Sequence, residues 1–133
     1  MRNVLLVSAL GPLVFGPMAC SSLLGPDQSV ILGVSKLEAP ASIAAGSPLT
    51  VVLTVTTGGC TSFDRIEVTR DASGASFTAW GTNAAKGRKN IACPAFIVDT
   101  PHPYQLDPPF NNPFAVQVQR GRLGPLTATV QVQ

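Results

Sequence analysis

Charged residues are scarce in this chain. Only 12% of its 133 residues are Asp, Glu, Lys or Arg, about half of the usual share. The net charge of +2 is too small for the electrostatic footprint of a nucleic-acid-binding protein. Long helices are disfavoured because 12 Gly and 12 Pro interrupt the chain every few residues. Hydrophobic residues nevertheless make up 45% of the chain, which excludes a disordered protein and suits one domain.

Histidine is almost absent, and this weakens the case for an enzyme. His102 is the only histidine, it lies between two prolines, and we expect it in an exposed loop. Serine chemistry needs such a base oriented by a carboxylate, and the chain has no Gly-x-Ser-x-Gly motif. The one local carboxylate group is Asp64, Glu67 and Asp71, which we expect on a solvated strand edge with the neighbouring arginines. We therefore predict no catalytic residues, no cofactor and no metal ion.

The first nineteen residues have the parts of a signal peptide. Arg2 supplies a positive charge, residues 4–15 are almost wholly apolar, and Ala19 is a small residue suited to cleavage. The apolar stretch is too short to cross roughly 30 Å of hydrocarbon as a helix. We therefore predict that residues 1–19 are removed and that the protein is exported.

Cys20 follows this segment directly, and the sequence around it resembles the lipobox of bacterial lipoproteins. In that family the cysteine thiol receives a diacylglyceryl group, the chain is cut just before it, and the new amino terminus is commonly acylated. Ala19 matches the small residue before the cut, whereas Pro17 stands where Leu is usual. The resemblance implies that Cys20 is a lipid attachment site. An ordinary secretory signal, in which Cys20 is incidental, is the alternative.

A lipid on Cys20 implies a membrane location without a spanning helix. Each buried CH₂ contributes about 0.8 kcal/mol, so that two or three acyl chains hold a protein firmly. Asp after the cysteine tends to retain such proteins at the inner membrane, so Ser21 implies the outer membrane if the cell has two membranes. Residues 20–28 then form a short polar tether.

The cysteine count agrees with this interpretation. If Cys20 carries lipid, Cys60 and Cys93 remain, and an even pair in an exported chain predicts a disulfide. Two independent buried thiols are the alternative. Zinc is less favoured, because two cysteines and one histidine do not complete a site of four ligands.

Alternation of apolar and polar residues with a period of two extends through residues 29–133 and indicates β-strands. The clearest strand lies in residues 50–56, which are rich in Val and Thr. We predict an all-β domain, an antiparallel immunoglobulin-like β-sandwich of about seven strands, with a small barrel as the alternative. The residues predicted to form its core are Val30, Leu32, Val51, Leu53, Val55, Ile66, Val68, Val116, Val118, Leu126, Ala128 and Val130.

The region after the tether resembles a loose group of bacterial envelope lipoproteins. The features shared with them are a Val- and Thr-rich strand at 51–57, Gly-Cys at 59–60, a Phe and charged strand at 63–70, Cys-Pro at 93–94 and a Val-rich hairpin at 114–132. The resemblance implies an immunoglobulin-like fold and carries no known activity.

Two segments are candidates for binding. Lys86, Arg88 and Lys89 form the one basic cluster, which is suited to anionic lipid head groups or cell-wall polymers, or is merely a solvated loop tip. Six of the 12 prolines lie between residues 94 and 113, which predicts an extended and irregular segment there. Trp80 and Tyr104 are the aromatic residues best suited to a binding surface, although core or edge packing is the stronger expectation for Trp80.

The leading functional hypothesis is a non-catalytic envelope lipoprotein that displays its sandwich for a structural or binding purpose. Its expected partners are the membrane, through the lipid anchor, and an envelope protein or a cell-wall polymer. No nucleic acid is expected, and the protein is expected to be a monomer. The alternative is an inhibitor of a secreted hydrolase, with residues 101–113 as the inserting loop.

Overall fold

The computed structural model describes residues 28–133, which contain nine strands joined by turns and loops, without a helix. The strands are β1 (Ser29–Ile31), β2 (Gly33–Glu38), β3 (Ser42–Ile43), β4 (Leu49–Gly58), β5 (Thr61–Arg70), β6 (Gly74–Asn83), β7 (Ile97–Leu106), β8 (Phe114–Arg120) and β9 (Leu123–Val132).

β4 shows most directly how the sequence produces this fold. Its apolar residues recur at every second position, and Leu49, Val51, Leu53 and Val55 are buried. The intervening positions are exposed or half-buried. Successive side chains of a strand point to opposite faces, so this spacing gives β4 one apolar face. β4 is accordingly the central strand of a three-stranded antiparallel sheet, in the order β2-β4-β7.

The larger sheet has six strands and is built around β6. One edge of β6 pairs with β5, and its other edge pairs with β8 and β1, which lie end to end. β9 pairs with β8, and β3 pairs with β9. The chain changes sheets between β1 and β2, where the Leu32 amide donates a hydrogen bond to the Ala79 carbonyl in β6 (2.8 Å).

The predicted all-β architecture with two sheets is confirmed, but its strand pairing differs in detail from the prediction. β3 lies parallel to β9, and β6 lies parallel to β8. The neighbour of β8 is β6, the second strand of the β5–β6 hairpin, and the two run parallel. The sheets of an immunoglobulin domain are antiparallel. A period of two marks which face of a strand is buried and carries no information about the direction of its neighbour, so these pairings were not predictable from it.

The inward faces of the two sheets share one hydrophobic core. All the residues predicted for the core belong to it or pack against it. Ile66 and Val68 are only half-buried, because β5 forms an edge of the larger sheet. The buried residues that the prediction omitted are Val34, Leu49, Ala75, Phe77, Ala79, Leu106 and Phe114.

We expect Leu53→Ala to lower the free energy of unfolding by about 2–5 kcal/mol, the usual range for a buried leucine. Leu53 is fully buried, and its removal leaves a cavity between the sheets. Thr50→Ala, on the exposed face of the same strand, is the control and should change stability by less than about 0.5 kcal/mol. Denaturant unfolding measures both variants, and equal losses would contradict the burial of a single face of β4.

Candidate functional site

Cys60 and Cys93 form the predicted disulfide. Their Cα atoms are 5.2 Å apart, within the usual range for this bond. The bond ties the turn between β4 and β5 to the segment that precedes β7. Gly59 fits this junction because a Cβ atom there would lie 2.1 Å from the carbonyl oxygen of Pro94. The Gly-Cys and Cys-Pro pairs of the sequence therefore meet in space.

The predicted basic cluster lies in the turns that follow β6. The side-chain oxygen of Asn83 accepts a hydrogen bond from the Ala85 amide (2.9 Å), which begins the first of these turns. Lys86 donates from Nζ to the carbonyl oxygen of Ser29 (2.6 Å), so this cation is tied to β1. Arg88 and Lys89 lie exposed beyond it.

Gln28, the first described residue, lies at the same end of the sandwich as this cluster. Its carbonyl oxygen accepts a hydrogen bond from the Asn83 amide (2.8 Å), and its side-chain amide donates to the Ala84 carbonyl (3.4 Å). The Ala84 amide donates in turn to the carbonyl oxygen of Cys60 (2.9 Å). We call this end, formed by Gln28, the Gly59-Cys60 turn and residues 84–98, the tether end.

Apolar side chains are exposed at the tether end. The exposed fractions are 39% for Ile91, 52% for Phe96, 77% for Ile97 and 45% for Val98. Ile97 and Val98 begin β7, where they pair with the last residues of β4. The sequence shows residues 95–98 as a short apolar run, and such a run normally indicates a buried strand. Their exposure is therefore a feature that the sequence pattern did not reveal.

The proline-rich segment is extended as predicted, but residues 97–106 form the regular strand β7, so the prediction of an irregular chain is wrong there. β7 forms the edge of the smaller sheet, and its register on β4 continues through Pro101 and Pro103. An edge strand tolerates proline because one side of its backbone needs no N–H donor. The expected loop of residues 101–113 is consequently reduced to residues 107–113.

His102 lies in this strand, so its expected place in an exposed loop is also wrong. The imidazole is half-buried and stacks on the ring of Phe63, with the ring centroids 4.0 Å apart. Tyr104 faces the core, where its ring meets that of Phe77 edge-on at 5.4 Å. Both rings thus help to close the sandwich between its two sheets.

The carboxylates near β5 lie on the expected charged edge. Arg65 pairs with Asp64 (2.7 Å) and Glu67 (3.6 Å), and its guanidinium lies 5.6 Å from the ring centroid of Trp80. Trp80 is half-buried on the outer face of β6, which has neighbours on both sides, so it lies neither in the core nor at a sheet edge as expected. Asp71 instead closes the turn before β6, because its carboxylate accepts hydrogen bonds from the amides of Ser73 (2.7 Å) and Gly74 (3.0 Å).

Arg70 holds the loop of residues 107–113 at the end opposite to the tether end. Its guanidinium donates hydrogen bonds to the carbonyl oxygens of Asp107 and Pro109, the latter at 2.6 Å. The same group lies 4.9 Å from the ring centroid of Phe110. A cavity of about 580 Å³ lies beside this loop and is lined in part by Arg70 and Pro108. The arrangement gives the loop a fixed shape with exposed prolines at its tip.

Residues 28–133 contain no group of three His, Cys, Asp or Glu side chains placed to hold a metal ion. In the same residues no helix is long and apolar enough to cross a membrane. Residues 1–19, Cys20 and the tether before Gln28 lie outside the described residues. Comparison of the chain with protein-family models, curated proteins and solved structures finds no match.

We expect Arg70→Ala to release the loop of residues 107–113. Loss of two hydrogen bonds from a charged donor lowers local stability by about 1–2 kcal/mol, which corresponds to a roughly tenfold rise in amide exchange. Hydrogen exchange followed by mass spectrometry measures the change, and the Asn111 amide, which bonds to the Ala72 carbonyl, is the most informative reporter. Arg122→Ala, in an exposed turn, is the control, and equal exchange in both variants would contradict the role of Arg70.

Proposed function

We propose that the protein is an exported lipoprotein, held at the cell envelope by a lipid on Cys20, whose β-sandwich is displayed for a structural or binding purpose. The observation that carries the proposal is the Cys60–Cys93 disulfide, because disulfides persist in oxidising compartments outside the cytosol. The signal-like residues 1–19 and the lipobox-like position of Cys20 are consistent with the same route of export.

The geometry of the tether supports display close to a membrane. Cys20 lies eight positions before Gln28, and a fully extended chain spans at most about 29 Å over that distance. A lipid at Cys20 would therefore keep the tether end near the bilayer. The loop of residues 107–113 would then lie on the far side of the sandwich, accessible to an envelope protein or a cell-wall polymer.

The contacts of the catalytic candidates favour a non-catalytic role. Arg65 engages the nearby carboxylates, and His102 is stacked on Phe63. Such contacts stabilise strand edges, whereas a general base must reach the proton of a nucleophile or substrate.

An inhibitor of a secreted hydrolase is the second candidate, because the loop of residues 107–113 is already fixed by Arg70. A loop ordered in advance binds with a smaller entropic cost. Inhibition assays against secreted hydrolases test this candidate with the wild type and with Arg70→Ala. The candidate requires inhibition that the variant weakens, and a panel without inhibition would exclude it for the hydrolases assayed.

We expect metabolic labelling with an alkyne fatty acid to mark the wild-type protein and not Cys20→Ala. Only the wild type offers the thiol that the lipobox resemblance assigns to the lipid. Cys60→Ala combined with Cys93→Ala is the matched control, because it removes two other cysteines and should retain the label. Label in Cys20→Ala at the wild-type level would contradict lipid attachment at this residue.

A further inference from the structure

The tether end carries a surface that is both apolar and basic. We call it the tether surface, and it consists of Lys86, Arg88, Lys89, Ile91 and residues 96–98. Its apolar members are between 39% and 77% exposed. Exposed apolar side chains that are grouped at one end of a domain are typical of an interaction site.

The exposed apolar side chains are concentrated in one half of the described molecule. Besides those of the tether surface they are Ile31, Phe63 and Leu123. Ile31 and Phe63 pair with the last residues of β6, next to the tether end. Leu123 begins β9, just after the end of β8. Because β8 runs parallel to β6, β8 also ends toward the side of the tether end. The opposite end has none of the large exposed apolar residues of the described chain.

Positive charge is also concentrated toward the tether end. Residues 84–98 contain three cations and no carboxylate. Arg120, the last residue of β8, and Arg122, in the turn after it, add positive charge toward the same end. The next acidic residue along the chain is Asp99, whose carboxylate accepts a hydrogen bond from the Thr56 hydroxyl (2.6 Å). The opposite end instead has Asp71 and Asp107 in its loops, with Arg70 as the neighbouring cation.

We propose that the tether surface binds the anionic head groups of the bilayer that holds the protein. Phe96 and Ile97 enter the boundary between head groups and acyl chains, while Arg88 and Lys89 neutralise lipid phosphates. The inference rests on the proposed function in one respect, since it takes this bilayer to be the one reached by Cys20. Two observations select a membrane as the occupant, namely the positive charge and the departure of the chain toward Cys20 from this same end.

The disulfide prepares this surface for binding. Cys93 lies within the segment that carries the apolar and basic side chains, and its bond to Cys60 attaches that segment to the end of β4. The segment is therefore ordered before it meets a membrane, which reduces the entropic cost of contact. Two attachments, the lipid and the tether surface, would hold the domain in one orientation, whereas a single lipid attachment would not.

Quenching of tryptophan fluorescence by brominated lipids tests the proposal on the full-length protein, extracted from membranes and reconstituted into vesicles. Phe96→Trp reports on the tether surface. Ala44→Trp, an exposed turn position at the opposite end, is the matched control, and both variants retain Trp80. Vesicles contain either phosphatidylcholine alone or equal parts of phosphatidylcholine and phosphatidylglycerol.

In the anionic vesicles we expect stronger quenching of Phe96→Trp than of Ala44→Trp. Adding Arg88→Glu and Lys89→Glu should reduce the quenching of Phe96→Trp to the control level, as should vesicles of phosphatidylcholine alone. Lys86 is left intact in these variants because it bonds to Ser29.

Equal quenching of the two tryptophan variants in anionic vesicles would overturn the proposal. Shielding of Phe96→Trp from both brominated lipid and aqueous iodide would also overturn it, because the surface would then be covered by residues 21–27 or by a second copy. Fatty-acid labelling of the same samples keeps the two proposals separate. A protein without label would refute lipid attachment, while quenching by added vesicles would still report on the tether surface.

Discussion

The contact between the apolar face of β4 and the larger sheet is the interaction on which the rest of the structure depends. Leu53 and its inward neighbours share one core with Phe77 and Phe114 of the opposite sheet. Burying one such side chain stabilises the folded protein by about 1.5–3 kcal/mol. Because β4 is the central strand of its sheet, this contact also places β7 on one side and the Cys60 turn at one end. Both the fixed loop and the tether end are thus positioned by the same core.

Much of this core was predictable because it depends on alternation within single strands. Val51, Leu53 and Val55 recur with the strand period and are buried, and the cysteine pair followed from the two cysteines left once Cys20 was assigned to lipid. Phe77 was harder to assign, because its strand alternates with Ala and Ser and has a weak apolar pattern. The parallel pairing of β6 with β8 joins segments distant in sequence, and no local pattern encodes it.

The candidate sites were less predictable than the core, for two physical reasons. Proline disfavours strands in general, so the edge position that makes Pro101 and Pro103 acceptable in β7 was not evident before β4 and β7 were seen to pair. Exposure is the second reason. Phe96 and Ile97 are apolar residues that a sequence pattern assigns to the interior, and only the fold shows them exposed at the same end as the basic cluster. Charged residues are few in the sequence, so their uneven placement in the fold was also not evident from it.

If the protein is held on a membrane as proposed, the prolines of β7 affect how its copies meet. Lipid-anchored proteins are confined to a plane, where neighbouring sheets meet edge to edge far more often than in solution. Pro101 and Pro103 leave the free edge of β7 without two of its amide donors, and β2, at the other edge of that sheet, carries a bulge and the Lys36–Glu38 ion pair. Such edges resist the addition of a strand from another chain. The smaller sheet is therefore suited to high surface density without polymerising into fibres.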